Sequence, residues 1–371
     1  MRLETLLVHL TDPDPATGGL APPIHLSTTF ERDTGGGPIA GFTYTRESNP
    51  TQELLEKGLA AAEGGEAALV FSSGMAAGLS LLEALPGGAR VVMGDDAYYG
   101  FPASARELLP KRGIETAFVD MGDLDALRDA LRPGAALLWL ESPSNPLLKV
   151  TDIAAAAALG HAAGALVLVD STFATPVVTR PLELGADVVL HSSTKYFGGH
   201  SDVQGGALVF KTKGETVERT HRCRSLLGCV ASPFSSWLVL RGLKSLACRV
   251  NVQSAGAMAI ATALDAHPAV SRVNYPGLPS HPGHEVARRQ MSSFGGMLSF
   301  HVKAGLEAAL AAVGRTKIFV RATSLGSVES LIEHRASSEG VGSKTAPDLV
   351  RLSVGLEHPD DLLADLMQAL S

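Results

Sequence analysis

The chain has 371 residues, of which 45% are hydrophobic and 19% are charged. This length accommodates two domains with large cores, and the composition is that of an ordinary globular protein. The formal net charge of -7 and the lack of any block rich in Lys and Arg argue against a nucleic-acid partner, which requires a basic face.

The cysteine pattern and the distribution of apolar residues restrict the location of the protein. Cys223, Cys229 and Cys248 form no C-x-x-C pair and leave an odd thiol, which predicts reduced cysteines. No run approaches the ~18 apolar residues of a membrane span, and the amino terminus lacks the pattern of a signal peptide. The sequence therefore predicts a cytoplasmic protein without membrane association.

Residues 1–50 are rich in proline and include a run of three glycines, which predicts an extended arm rather than a packed domain. Tyr44 and Arg46 lie at its end, just before a turn and a helix that we expect Thr51 to cap. From the residues alone, we expect Tyr44 and Arg46 to pack against that helix.

Residues 51–240 alternate between short apolar runs and helical patterns, which is typical of a doubly wound α/β domain with a mainly parallel sheet. The predicted strands are Ala67–Phe71, Arg90–Met93, Thr116–Val119, Ala136–Leu140, Ala165–Val169 and Ala186–Leu190. The predicted helices between them are Gly74–Leu85, Gly100–Leu109, Leu124–Leu131 and Asp152–Ala163.

The pattern of strands and helices over residues 241–371 predicts a smaller α+β domain at the carboxyl terminus. One long helix or two abutting helices over Trp237–Ala266 lead into it. The expected strands are Gly296–Val302, Phe319–Ala322 and Val350–Val354, and the expected helices are Glu307–Val313, Val328–His334 and Asp360–Leu370.

Polar residues follow two predicted strands, at the edge where open α/β sheets bind ligands. Asp170 ends one strand, and Ser192, Thr194 and Lys195 follow another. A lysine can hold an aldehyde as a Schiff base, hydroxyls can bind a phosphate, and a carboxylate can keep a pyridine nitrogen protonated. Singly, Lys195 is typical of a surface lysine and Asp170 of a helix cap. Their combination predicts a site for pyridoxal phosphate.

Three further loops follow predicted strands. Gly74 and Met75 open a helix whose backbone N–H groups could bind a phosphate, although such turns are common. Tyr98 and Tyr99 offer a ring to stack on a flat ligand, or serve as core or interface residues. Asn145 lies between two prolines that could direct its amide at a ligand, or it belongs to a simple turn.

Two rival classes of function stay open. Ser192 and Lys195 match the S-x-x-K motif of one group of serine hydrolases, but the companion motifs fail at Ser201-Asp202-Val203 and Lys344-Thr345-Ala346. A protein with a cofactor fold that binds without turnover is the other rival. The histidines show no H-x-x-x-H spacing, so we predict no metal, and the nucleotide-binding glycine motifs are missing.

Ordered sequence blocks along nearly the whole chain resemble the trans-sulfuration enzymes, the Cys/Met-metabolism family of pyridoxal-phosphate enzymes. The blocks are YTRESNPT, SSGMAA, GDDAYYG, ESPSNP, VDSTFATP, HSSTKYFGGHSDVQGG, SLGSVESL and VRLSVGLE. The resemblance is to the cystathionine γ-synthase and γ-lyase type, and it implies the fold type I architecture of pyridoxal-phosphate transferases.

The resemblance also implies roles for individual residues. Lys195 would carry the cofactor, Asp170 would pair with the pyridine nitrogen, and Tyr98 would stack on the ring. Arg351 would bind the substrate α-carboxylate, with Asn145 and Ser324 beside it. The phosphate would be held by the amides of Gly74 and Met75, by the hydroxyls of Ser192 and Thr194, and by Tyr44 and Arg46 of a neighbouring subunit.

These roles imply a homodimer with shared sites, expected to pair into a homotetramer, and an amino-acid substrate. The implied reaction is γ-elimination or γ-replacement, with Lys195 as the base and Tyr98 or Lys195 protonating the leaving group. Methionine γ-lyase and O-acylhomoserine sulfhydrylase activities are alternatives. The chain departs from the family pattern on the leaving-group side, at Thr323, at Tyr99 and in the loop 333–346.

Overall fold

The computed structural model describes residues 1–339 and 345–371, whose strands form a seven-stranded and a five-stranded sheet. The seven strands of the first sheet are β1 (Ala67–Phe71), β2 (Arg90–Gly94), β3 (Glu115–Val119), β4 (Leu137–Glu141), β5 (Leu166–Asp170), β6 (Val188–His191) and β7 (Gly206–Phe210). The five strands of the second are β8 (Val270–Asn274), β9 (Met297–Val302), β10 (Val320–Arg321), β11 (Leu331–His334) and β12 (Leu349–Ser353).

The helices alternate with the strands of the first sheet and surround the second. They are α1 (Leu3–Val8), α2 (Pro50–Glu63), α3 (Gly74–Ala84), α4 (Gly100–Glu107), α5 (Leu124–Leu131), α6 (Ile153–Ala162), α7 (Thr175–Val178), α8 (Glu215–Leu227), α9 (Pro233–Leu243), α10 (Leu246–Asp265), α11 (His284–Gln290), α12 (Leu306–Arg315), α13 (Arg335–Glu339) and α14 (Pro359–Ala369).

The first sheet has the strand order β1-β7-β6-β5-β4-β2-β3. Strand β7 runs antiparallel to its neighbours β1 and β6, and the other neighbouring pairs are parallel. Six strands therefore end at one edge of the sheet, and β7 begins there. This arrangement confirms the predicted α/β architecture with a mainly parallel sheet.

Both faces of the first sheet are buried, because alternate residues of each strand enter two different cores. Val167 and Val169 of β5 pack with helices such as α2 and α6, whereas Leu168 packs on the opposite face with α3 and α4. A third core lies between the second sheet and helices α10, α12 and α14. Helix α10 links the sheets, since Val250 belongs to the first core and Ile260 to the third.

The amino-terminal segment differs in part from the predicted extended arm. It begins with α1, whose Leu7 is buried in the first core. Residues 9–49, all of which are described, contain isolated bridges such as Thr29 with Tyr44 but no helix or regular strand. The predicted boundary at 240 falls inside α9, and the division into an arm and two domains stays a prediction.

Three local predictions are wrong. Asn49, not Thr51, caps α2: its side-chain oxygen accepts from the Thr51 N–H at 2.9 Å, and Pro50 occupies the first helical position. The predicted helix Val328–His334 is instead strand β11. The strand expected at Phe319–Ala322 is reduced to the two residues of β10.

Elsewhere in the carboxyl-terminal region, β9, β12, α12 and α14 lie where they were predicted, whereas β8, α11 and α13 were not predicted. The span Trp237–Ala266 forms two successive helices, α9 and α10, which was one of the two alternatives. In the described ranges, no helix is long and apolar enough to cross a membrane.

Candidate active site

A cavity of about 340 Å³ opens where the carboxyl ends of the first sheet face strands β11 and β12 of the second. It collects the predicted site residues other than Tyr44 and Arg46, which do not line it in a single chain. The predicted residues on its wall are Gly74, Met75, Tyr98, Asn145, Asp170, Ser192, Thr194, Lys195, Ser324 and Arg351.

Lys195 lies in the loop that connects β6 to β7, and its amine faces the second sheet across the cavity. The Nζ atom donates to the Ser324 Oγ at 2.8 Å. Ser324 adopts a left-handed backbone conformation with φ +79°, which is uncommon for a residue with a side chain. Burial, together with the nearby Arg351 and Arg335 guanidinium groups, lowers the pKa of Lys195 to about 8. About a tenth of this amine is therefore uncharged at pH 7.

Asp170 and Glu141 form a carboxyl pair on adjacent strands, since they are direct partners in the β5–β4 ladder. Burial raises the pKa of Asp170, while hydrogen bonds from Thr172 oppose that rise. Burial and the Asp170 charge raise the pKa of Glu141 well above its usual range. Because like charges disfavour double ionisation, we assign the negative charge to Asp170 and a proton to Glu141.

Glu141 also fixes the position of Tyr98, because its Oε2 accepts from the Tyr98 backbone N–H at 2.7 Å. The Tyr98 ring lies beside Tyr99, with 4.8 Å between ring centroids. Burial raises the pKa of Tyr98 to about 12, so the phenol keeps its proton at neutral pH. It is thereby available as a hydrogen-bond donor.

The opposite end of the cavity is the start of α3. Ser73 caps this helix, and Gly74 and Met75 are its first two residues, whose N–H groups have no partner within the helix. A Cβ at position 74 would lie 2.9 Å from the Ser192 Cβ, so glycine allows the helix start to approach the loop after β6. The Thr194 hydroxyl exchanges hydrogen bonds with the Gly205 backbone at 3.0 and 3.1 Å.

Arg351 of β12 is buried on the other side, where its guanidinium is held by three oxygens. It donates to the Asn145 Oδ1 at 3.0 Å and to the Ser324 carbonyl at 2.9 Å. It also contacts the Glu333 carboxylate on β11 closely. Burial lowers the pKa of Arg351 to about 10, which leaves it charged at neutral pH. A fixed guanidinium is suited to fork onto a carboxylate.

Sequence reasoning missed Glu141 on the cavity wall, and it placed Glu333 and Arg335 on the leaving-group side only as members of the loop 333–346. Glu141 ends β4 as Asp170 ends β5, so its strand-end position was a usable signal. The ion pair of Glu333 and Arg335 was not predicted, because Val328–His334 was assigned to a helix. The Arg335 Nη1 lies 3.4 Å from a Glu333 carboxylate oxygen, and Glu333 belongs to strand β11, which was not predicted.

Tyr44 and Arg46 contact their own chain. Arg46 Nη1 donates to the Ser225 carbonyl at 3.1 Å, and the Tyr44 side chain remains 45% exposed. Ser225 lies in α8, so this contact is within the chain but is not made with α2, the helix against which we expected these residues to pack. The cross-subunit contact implied by the resemblance stays a prediction.

The geometry does not favour an S-x-x-K hydrolase. In that chemistry the lysine must activate the serine hydroxyl directly. Here Ser192 follows the end of strand β6 instead of opening a helix, and the Lys195 amine donates to Ser324.

The cavity residues fit pyridoxal phosphate. The Lys195 amine can form a Schiff base with the aldehyde, and the Asp170 carboxylate can pair with the protonated pyridine nitrogen. The N–H groups at the start of α3 can bind the phosphate. Across the described ranges, no cluster of three or more side chains suited to a metal ion is present.

Comparisons with known proteins also indicate a pyridoxal-phosphate enzyme. The family model described as Cys/Met metabolism PLP-dependent enzyme matches residues 4–371. The chain is 50% identical over 364 residues to cystathionine gamma-synthase of Mycobacterium tuberculosis, covering 96% of this chain and 94% of that one. It is 41% identical to cystathionine gamma-lyase of Bacillus subtilis, covering 100% and 99%.

A solved structure is similar over the whole chain. It is cystathionine gamma synthase from Xanthomonas oryzae in complex with cystathionine, with a TM-score of 0.96, 40% identity, and coverage of 100% and 98%. This similarity confirms the predicted fold of pyridoxal-phosphate transferases.

Proposed function

Because the chain belongs to the Cys/Met metabolism family of pyridoxal-phosphate enzymes, we propose that it catalyses γ-replacement on an O-acylhomoserine-type amino acid, with γ-elimination from cystathionine as the alternative. It is a trans-sulfuration enzyme of the cystathionine γ-synthase or γ-lyase type. The structural observation that supports the proposed reaction is that the Lys195 amine, the Asp170 carboxylate and the Arg351 guanidinium line the same cavity. The 50% identity to a γ-synthase supports replacement as the first choice.

The chain's own groups have separable tasks in this reaction. Arg351 and Asn145 bind the substrate α-carboxylate and so orient the Cα–H bond. The Lys195 amine, once free, takes the proton from Cα, and Ser324 positions its Nζ through the 2.8 Å hydrogen bond. Pyridoxal phosphate, when bound, supplies the electron sink for proton loss at Cα and Cβ.

The remaining tasks concern the ring and the leaving group. With the cofactor bound, Asp170 would hold the pyridine nitrogen in its protonated state, with the neutral Glu141 beside it. The amides of Gly74 and Met75 and the hydroxyls of Ser192 and Thr194 would hold the phosphate. Tyr98 would stack on the ring, and its phenol or the Lys195 ammonium would give a proton to the departing γ group.

The test is a steady-state comparison of substrates with the holoenzyme. O-acylhomoserines with cysteine, cystathionine alone, methionine alone, and O-acylhomoserines with sulfide separate the four candidate activities. The proposal predicts that O-acylhomoserine with cysteine gives the highest kcat/KM. A holoenzyme that is inert towards all four would instead support binding without turnover, and highest activity with methionine would favour a methionine γ-lyase.

Cofactor uptake should depend on pH through the Lys195 amine. Only the uncharged amine attacks an aldehyde, so uptake by cofactor-free protein should rise with pH and level off above the pKa of about 8. Between pH 7 and pH 9 the rate should rise about tenfold and then stay flat. The measurement is the rate of appearance of the visible band at each pH. A rate that climbs steadily past pH 10 would contradict the lowered pKa.

We infer that the active site is shared between subunits. Arg46 does not line the cavity of its own chain, and among the residues that the structure describes, the phosphate end has no cationic side chain other than Lys195. The inferred assembly is a homodimer that pairs into a homotetramer. We also infer a reducing, cytoplasmic location, because Cys223, Cys229 and Cys248 form no disulfide.

Mixing two inactive variants should restore activity if the site is shared. An Arg46→Ala chain still supplies a working Lys195, and a Lys195→Ala chain still supplies a working Arg46. Subunits exchanged by mild unfolding and refolding should therefore exceed both parents in turnover, since some mixed dimers hold one intact site. If mass measurements confirm mixed dimers and activity does not rise, each chain binds the phosphate alone.

A further inference from the structure

One wall of the cavity carries an ion pair for which the reaction described above has no use. Arg335 and Glu339 occupy the two ends of the short helix α13, and both line the cavity. The Arg335 Nη2 donates to the Glu339 Oε1 at 2.9 Å. Their side chains are 8% and 16% exposed, so the pair is largely shielded from bulk water. Charges placed in such surroundings interact strongly with a ligand.

The hydrogen-bonding capacity of Arg335 is only partly filled. Its Nη1 contacts with the two Glu333 oxygens are long, at 3.4 and 3.5 Å. Its buried Nε–H has no hydrogen-bond partner among the residues that the structure describes. A guanidinium carries five N–H donors, and a buried donor without a partner is costly, so a bound acceptor would be stabilised there.

Glu333 lies between two guanidinium groups that face the same cavity. It is the ladder partner of Arg351 across β11 and β12, and it also contacts Arg335. Arg351 is already assigned to the α-carboxylate of the reacting amino acid. Arg335 is therefore a second cation, available to a different part of the substrate.

We propose that the Arg335–Glu339 pair binds the zwitterionic head of a second amino acid attached at the substrate γ position. The guanidinium receives its carboxylate, and the Glu339 carboxylate receives its ammonium. The assignment rests on the proposed function, in which that second half is cysteine before the reaction or the distal half of cystathionine after it.

Charge balance selects a zwitterion over a simple anion. A free arginine would favour a purely anionic γ substituent, but here an adjacent carboxylate cancels most of the field of the guanidinium. An ion pair presents one donor surface and one acceptor surface side by side, which is the complement of an α-ammonium and an α-carboxylate on one carbon. A carboxylate has about four lone-pair sites, so Glu339 can accept from an ammonium in addition to its contacts within the chain, which include Arg335 and the Thr345 hydroxyl at 2.8 Å.

Four ligands that share the homocysteine half and differ only beyond the sulfur test this proposal. They are cystathionine, S-(2-carboxyethyl)homocysteine, S-(2-aminoethyl)homocysteine and S-ethylhomocysteine. Each is titrated into the holoenzyme, and Kd is read from the change in the visible band. We expect cystathionine to bind most tightly, with a loss of about tenfold for each distal charged group removed. Equal affinity for cystathionine and the carboxyethyl ligand would show recognition of an anion alone and overturn the proposal.

Variants assign each charge to its residue. Arg335→Gln should weaken cystathionine and the carboxyethyl ligand about tenfold and leave the aminoethyl ligand nearly unchanged. Glu339→Gln should weaken cystathionine and the aminoethyl ligand and spare the carboxyethyl ligand. Arg288→Gln and Glu285→Gln remove a comparable 3.1 Å ion pair on the exposed helix α11 and should change no Kd.

A swapped pair separates recognition from a structural role. The double variant Arg335→Glu with Glu339→Arg keeps an ion pair on α13 but reverses its polarity. We expect it to bind S-ethylhomocysteine normally and cystathionine at least tenfold more weakly than the original protein does. Restored cystathionine affinity in the swapped variant, or equal losses for all four ligands in the single variants, would show that the pair only supports the fold.

Failure of this inference can be told apart from failure of the proposed function. The binding spectra are recorded on rapid mixing, before product accumulates, so the order of the four Kd values tests the ion pair alone. The proposed function fails if no γ-substituted amino acid is converted, whatever that order.

Discussion

Replacing Lys195 with alanine is expected to lower kcat by at least 10²–10⁴-fold, because the variant loses the amine that moves the Cα proton. The lost group also removes the 2.8 Å hydrogen bond to Ser324 and the covalent attachment of the cofactor. The side chain lines a cavity and does not belong to the apolar cores, so the fold should persist. The measurements are turnover with O-acylhomoserine and cysteine, the visible spectrum, and the far-ultraviolet circular dichroism.

Lys211→Ala is the matched control, because Lys211 is exposed just after β7. It should leave both the visible band and kcat unchanged. Turnover by the folded Lys195→Ala protein within tenfold of the original rate would rule out Lys195 as the base.

Asp170→Asn should retain the cofactor and lower kcat roughly 100- to 1,000-fold, as expected when one partner of a buried charge pair is neutralised. An amide no longer stabilises a protonated pyridine nitrogen, so the ring withdraws electrons less strongly. The effect should be large because Asp170 is only 6% exposed and water cannot replace the lost charge. The direct measurement is the rate at which the substrate Cα proton exchanges with solvent deuterium.

Asp129→Asn serves as its control, since Asp129 is exposed on α5 and pairs with the exposed Arg132. An exchange rate in Asp170→Asn equal to that of the control would show that the carboxylate does not act on the ring. Loss of the cofactor from Asp170→Asn would instead indicate that the carboxylate chiefly anchors it.

Six strands of the large, mainly parallel sheet were predictable because each contains a short apolar run between turn residues; β7, the antiparallel strand, was not predicted. Asp170 and Lys195 could be identified as site residues from the same pattern, since both lie where strands end. Glu141 satisfies the same rule at the end of β4. It was missed because the prolines of the loop that follows drew the interpretation towards Asn145.

The second sheet was harder to predict, and strand β11 shows why. All four residues of β11, Leu331–His334, are buried, including Glu333 and His334, so no apolar–polar alternation marks the strand. A buried apolar run of this kind does not distinguish a strand from a helix. The helix assigned there concealed the ladder in which Glu333 faces Arg351.

Contacts between distant parts of the chain could not be derived from local patterns. Asn145 and Arg351 are hydrogen-bonded across 206 residues of sequence, and only the family resemblance brought them together beforehand. The departures noted at Thr323 and in the loop 333–346 share the wall of the cavity with Arg335 and Glu339, and residues 340–344 of that loop lie outside the described ranges. Roles that depend on a second chain, such as that of Arg46, require the assembly itself.

The most direct test of the central claim is to find where the cofactor is attached. Borohydride treatment of the yellow holoenzyme, followed by proteolysis and mass spectrometry, fixes pyridoxal phosphate to the amine that holds it. The account predicts one modified residue, Lys195, with the modification blocked when a substrate that cannot be turned over is bound first. Modification of another lysine, or no fixed cofactor on a protein that remains active, would contradict it.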